Sequence, residues 1–225
     1  MVDISALHSM LIEMHGGMLT LATICIIAII LDRIHLKMSG TNNKEAGFWS
    51  TASAMGKLAQ LTEPTAYVAG IGGVIGLIIS AIVGAYVWDI ELLISDYFGN
   101  LGWTKVMFSI FATELWIIFV LLRTKYGENL WKNSGMAIVY SCVGVLGFLF
   151  VVISGSLGAH LTSLAHNLDT GSVLDPIFEL IGIDPLTFGV TESNFIIALI
   201  IGSIVLVIVP IVLVIYIQRQ NKIIK

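Results

Sequence analysis

Four histidines, His8, His15, His160 and His166, fall at the outer ends of two apolar runs that lie far apart in the chain. Imidazole nitrogens ligate haem iron and transition metals, and an imidazole set in an apolar wall must find a polar partner or water. Gathered at one bilayer face, the four point to a haem or metal site. His8 and His15 are seven residues apart, so on a helix they share a face with about 10 Å of rise between them and cannot both bind one ion. His8 belongs at the aqueous boundary and His15 roughly two turns deeper. Gly16 and Gly17 remove bulk beside His15, and Ser154-Gly155-Ser156-Leu157-Gly158-Ala159 does the same before His160. A histidine flanked by small residues on each of two helices suits bis-imidazole haem, with His15 and His160 as axial ligands and His166 left to the loop. Lys105 would meet a haem propionate or snorkel to the interface.

The first run also carries Met10, Met14 and Met18. Thioether with imidazole is a soft donor set suited to Cu(I), so His8, Met10, Met14, His15 and His166 form an alternative copper site. The methionines also repeat every four residues, as a plain packing stripe does. Interfacial histidines commonly bond only to headgroups, water or a neighbouring loop, and that reading stays open.

A third group is Glu114, near the centre of the third run. A charge there costs at least about 2.5–3.5 kcal/mol, so the carboxyl must be protonated, paired or turned inward. Its neighbours one turn away, Ile110, Phe111, Ile117 and Ile118, are apolar, so a partner must come from another helix; Ser80 and Tyr140 are candidates. Glu114 is a proton relay, an acceptor for a quinol, or interhelical glue.

These residues need a membrane to hold them. With 57% hydrophobic and 12% charged residues in 225, and a net charge of −4, the chain is an all-α integral membrane protein and not a soluble globule or a nucleic-acid binder. Runs at 9–31, 66–88, 104–123, 134–158 and 194–217 are long enough to span a core of about 30 Å. The first lacks a positive n-region or cleavage site and reads as a retained span. Lys and Arg gather in the first and third connections and the tail, acids in the second and fourth, which predicts an outer N-terminus and a cytoplasmic C-terminus. Trp88 and Trp103 sit where an outer aromatic belt belongs. The expected organisation is a four-helix transmembrane bundle over 1–168, an external loop with a short interfacial helix over 169–193, and a fifth helix with a basic tail over 194–225. The loop helix is expected at Val173 to Ile183, and a second interfacial helix at 47–62. Gly70, Gly72, Gly73, Gly76 and Gly84 give the second span a face for close helix approach, or room for a macrocycle. Cys25 and Cys142 lie within spans and are expected as free thiols.

Leu7-His8-Ser9-Met10-Leu11-Ile12 and Gly155-Ser156-Leu157-Gly158 give the chain a layout that resembles a family of small four-helix prokaryotic membrane proteins of unassigned function. In that family the first helix opens with Leu-His-Pro and a second histidine, and the fourth closes on a Gly-His-Leu-Gly-type motif. Here Ser9 replaces the proline, the second histidine is His15, and Ser156 stands at the motif histidine with His160 one turn on. The layout is also broadly similar to di-histidine cytochromes b, without their two full ligand pairs. The resemblance implies a haem-like role. The reading is therefore a multi-pass protein of a prokaryotic plasma membrane that transfers electrons through a b-type haem near the outer leaflet. It would work as a subunit of a respiratory-type complex, with quinol a possible partner. Copper handling and a non-catalytic accessory subunit are the alternatives.

Overall fold

A computed structural model describes residues 4–38, 54–87, 99–166, 180 and 189–223, and these are helical apart from short connections. The helices are α1 (Ile4–Met38), α2 (Ala54–Val87), α3 (Gly99–Tyr126), the single turn α4 (Asn129–Lys132), α5 (Ser134–His166) and α6 (Glu192–Ile223). Five are long and apolar enough to cross a bilayer, over Leu7–Ile34, Leu61–Tyr86, Asn100–Tyr126, Ser134–Leu161 and Glu192–Gln220. Each is longer than its expected apolar run because the helix continues into flanking residues, although the second, expected to reach 88, is described only as far as Val87. The second interfacial helix does not stand apart: from Ala54 onward that stretch is the opening of α2. The interfacial helix expected at Val173 to Ile183 lies outside the described residues except for Leu180.

In lipid every backbone group must be satisfied within its own segment, which is why the spans are helices. Hydroxyls follow the same rule by bonding back one turn: Thr23 donates to the Leu19 carbonyl (2.8 Å), Thr104 to Asn100 (2.7 Å) and Ser109 to Lys105 (2.9 Å). Gly127 closes α3 at φ 54, where its N–H donates to the Arg123 carbonyl at 2.9 Å. The Asn133 side chain then starts α5 by accepting from the Met136 N–H (3.1 Å).

Helices α1, α2, α3 and α5 close a ring of neighbours, α1 on α2, α2 on α3, α3 on α5 and α5 back on α1, while α6 leans on α3 and α5 from outside. The shared core holds Leu19, Ile26, Ala66, Trp116, Phe119 and Tyr140. The glycines of α2 do what close packing asks of them. A Cβ on Gly72 would meet Met18, one on Gly73 would meet Leu19, one on Gly76 would sit 2.6 Å from the His15 Cβ, and one on Gly84 would sit 2.6 Å from the His8 ring. Cys25 and Cys142 are free thiols.

Only 6% of the apolar window of α6 is buried, and one stripe of it, including Phe195, Gly202, Pro210 and Val214, touches the bundle. Its start is tied to α3 where the Val190 N–H donates to the Thr104 hydroxyl at 2.9 Å. Gly189 precedes it at φ 108 with Thr104 against its Cα, so only glycine fits there.

Candidate functional site

The contacts of α1 place its two imidazoles. His15 is 7% exposed, pressed onto Gly76 of α2, with its ring by the backbone of Leu11 one turn earlier. The His8 ring lies on Gly84, reaches the backbone of Ser80, and is within electrostatic range of Lys105 on α3. Lys105 in turn lays its side chain on α5, where a Cβ on Gly158 would stand 2.9 Å from its Cε. The Nδ1 atoms of His8 and His15 are both buried with no hydrogen-bond partner. An orphaned buried polar atom costs about 1–3 kcal/mol, so each is a place where water or a ligand is owed.

His160 stands elsewhere. Gly144 of α5 meets Ile26 of α1, and these helices run antiparallel, so eleven residues along each puts His15 level with Gly155. His160 is five residues further on, about 7.5 Å nearer the end of the bundle and level with Met10. Its phase differs too: sixteen residues from Gly144 turn it by about 160°. That sets it in line with Cys142 and Leu149, and it is half-buried there, one turn after the buried Ser156. His160 has contacts of its own at that end. The donors expected for bis-imidazole haem therefore neither face each other nor lie level, and His15 is shut against Gly76. His166 is the last residue of α5, and its side chain lies outside the described set.

The soft donors are not gathered either. Met10 and Met14 are 57% and 44% exposed on the outer face of α1, while His15 is buried on the inner one, and the Met18 thioether packs at Gly72. Among the described residues no three His, Cys, Asp or Glu side chains come together as a metal-binding group.

The same helix pair shows something that spacing alone does not give. Ala137, Gly144 and Gly155 share one face of α5, and Ala137 and Gly144 are buried there, as is Thr23 on α1. Toward the His8 end that face opens. Gly155 is exposed, Cβ atoms on Gly16 and Gly155 would meet nothing within 4 Å, and Ile12 is 44% exposed. Open space therefore flanks α1 at Gly16 and α5 at Gly155, at the end of the bundle where Lys105 and His8 lie.

Glu114 has one buried carboxylate oxygen, Oε2, without a partner. Neither candidate partner reaches it: Ser80 is beside His8, and the Tyr140 ring stacks on Phe119 with centroids 4.1 Å apart at the opposite end.

That opposite end holds a polar network absent from the expected site. Glu63, 2% exposed, accepts from Arg123 through Nε and, at 2.7 Å, through Nη2, and from the Trp131 indole at 3.3 Å. Arg33 sits over the Trp131 ring at 5.3 Å and Arg123 over Tyr67 at 5.6 Å, while the hydroxyls of Tyr67 and Thr124 bond at 2.8 Å. Asp32 is buried beside it and engaged. The cluster joins α1, α2, α3 and α4. Its signal in the sequence is an acid and a base, Glu63 and Arg123, each at the same-side end of an apolar run.

Comparison with protein-family models, characterised proteins and solved structures finds no match for the chain.

Proposed function

We propose that this chain is a membrane-embedded electron-transfer subunit of a larger respiratory-type complex, and that it meets a quinol at the open flank of α1 and α5, near the outer leaflet. The observation that carries the reading is the open space at Gly16 and Gly155, at the end of the bundle that holds Lys105 and His8, whose Nδ1 has no hydrogen-bond partner. A quinol is a flat ring with two hydroxyls and a long apolar tail. It enters from the bilayer, leaves its tail against Ile12 and the lipid, and offers one hydroxyl to an imidazole nitrogen and its oxygens to an ammonium. Electrons leave a quinol together with protons: the imidazole is the group of this set able to accept a proton, and the two electrons pass to a redox centre carried by a partner subunit of the complex. The positive set also suits an outer N-terminus, where quinol protons are released.

Titration of a decyl-tailed benzoquinol into the detergent-solubilised protein tests this. His8→Ala and Lys105→Met should each weaken binding on the order of tenfold, about 1.4 kcal/mol, and Gly155→Leu should fill the open space. Equal binding by all three variants and the wild type would sink the reading. A reduced-minus-oxidised optical spectrum on the same samples separates it from its rival. A Soret band that disappears in both His15→Ala and His160→Ala would instead put b-type haem between those helices, and stoichiometric copper would favour the methionine-imidazole set.

A further inference from the structure

Glu114 belongs to the seam between α3 and α6, outside the four-helix core. On α3 it follows Trp103, Met107 and Phe111 along one stripe, at helical spacing. Those three pack on α6: the Trp103 and Phe195 rings stand 4.7 Å apart, Met107 and Phe111 share a cluster with Phe195, and Phe111 fills the notch at Gly202. The two helices run parallel here, and the pairs Trp103 with Phe195 and Phe111 with Gly202 set Glu114 level with Val205 and Leu206.

Four residues after Leu206 comes Pro210, inside α6 and buried against the bundle. Proline has no N–H, so the Leu206 carbonyl loses the helical donor it would otherwise have. Leu206 is itself half-buried in the seam, packed against both hydrophobic clusters. A carbonyl lacking its donor and a carboxyl with a buried, unpartnered oxygen thus occupy one seam at one level, near the middle of the span. In hydrocarbon each alone is costly, and together they satisfy each other only if the carboxyl carries a proton to donate.

We propose that Glu114 is a proton-binding site: its carboxylic acid donates to the Leu206 carbonyl that Pro210 leaves free, and this bond docks the fifth helix. Among the described residues no other ionisable side chain faces it. On α3 the nearest are Lys105 and Arg123, nine residues away in either direction. On α6 none lies between Glu192 and Tyr216, on α5 none between Cys142 and His160, and on α2 none between Tyr67 and Tyr86.

Infrared difference spectra of the intact protein in lipid nanodiscs test the proposal through the carboxylic C=O stretch. The wild type should show a hydrogen-bonded carboxylic acid band that shifts in D2O and is lost in Glu114→Gln. Pro210→Ala returns a donor to the Leu206 carbonyl, so the band should remain and move to the position of a weakly bonded acid. Glu114→Gln, which keeps an N–H donor, should hold α6 against protease as the wild type does, and Glu114→Ala should not. A wild-type spectrum with no band lost in Glu114→Gln overturns the proposal, as does a band that Pro210→Ala leaves in place.

Discussion

Arg123→Leu should destabilise the bundle by about 3–5 kcal/mol, because it strips a buried carboxylate of its counter-charge. Glu63 is 2% exposed and relies on two guanidinium N–H groups and one indole N–H. Without the guanidinium, only the indole remains to meet a charge that water cannot reach. The pair joins α2 to α3 at the end where α4 turns the chain into α5, so the loss should open several helix contacts together. Glu63→Leu with Arg123→Leu should recover most of the loss, since a buried ion pair replaced by apolar side chains is often close to neutral. Arg123→Lys should fall between, because an ammonium cannot reproduce the fork of two N–H bonds. Unfolding midpoints in mixed micelles with increasing dodecyl sulfate would measure all three. A double variant no more stable than Arg123→Leu would show that the pair is not what holds this end.

Gly76→Val should cost on the order of 1–3 kcal/mol by overpacking the α1–α2 seam. Its Cβ would stand 2.6 Å from the His15 Cβ and 3.4 Å from the His15 Cα. Those atoms belong to the root of the side chain and to the backbone, so no rotamer change relieves the clash, and α1 must move away bodily. Gly155→Ala is the control: its Cβ meets nothing within 4 Å and should change stability by less than about 0.5 kcal/mol. The same unfolding series reads both, and equal costs at the two glycines would mean that the seam is looser than the contacts require. Displacing α1 also shifts His8 and His15, so Gly76→Val should weaken quinol binding where Gly155→Ala leaves it nearly unchanged.

Much of the architecture was legible in the chain because bilayer length and apolar runs dictate it. Runs of Ile, Val and Leu long enough to cross hydrocarbon can satisfy their backbone only as helices, so the five spans needed no tertiary information. The small-residue face of α2 was legible for the same kind of reason: Gly72, Gly73, Gly76 and Gly84 meet α1, while Gly70 meets Phe119 of α3. That His15 lies deeper than His8 followed from helical rise. The partners of these residues were not legible. Glu63 and Arg123 each looked like an ordinary charge at a helix end, and only the fold sets one against the other across α2 and α3. His160 shared its small-residue setting with His15, yet phase and level turn it away, because those depend on where α5 meets α1 and not on its neighbours in sequence.

By itself, then, the sequence determined that the chain spans a membrane as helices, where its costly polar groups lie along each helix, and which helix can be approached closely. Composition and periodicity act within one segment, and these properties are segment properties. The tertiary structure alone decided that Glu63 holds Arg123, that Phe111 of α3 meets Gly202 of the fifth helix, and that Gly16 and Gly155 are left open at the end where Lys105 lies. Each depends on the rotation and register of one helix against another, which is set by side chains filling notches such as Gly76, Gly144 and Gly202 from a different part of the chain.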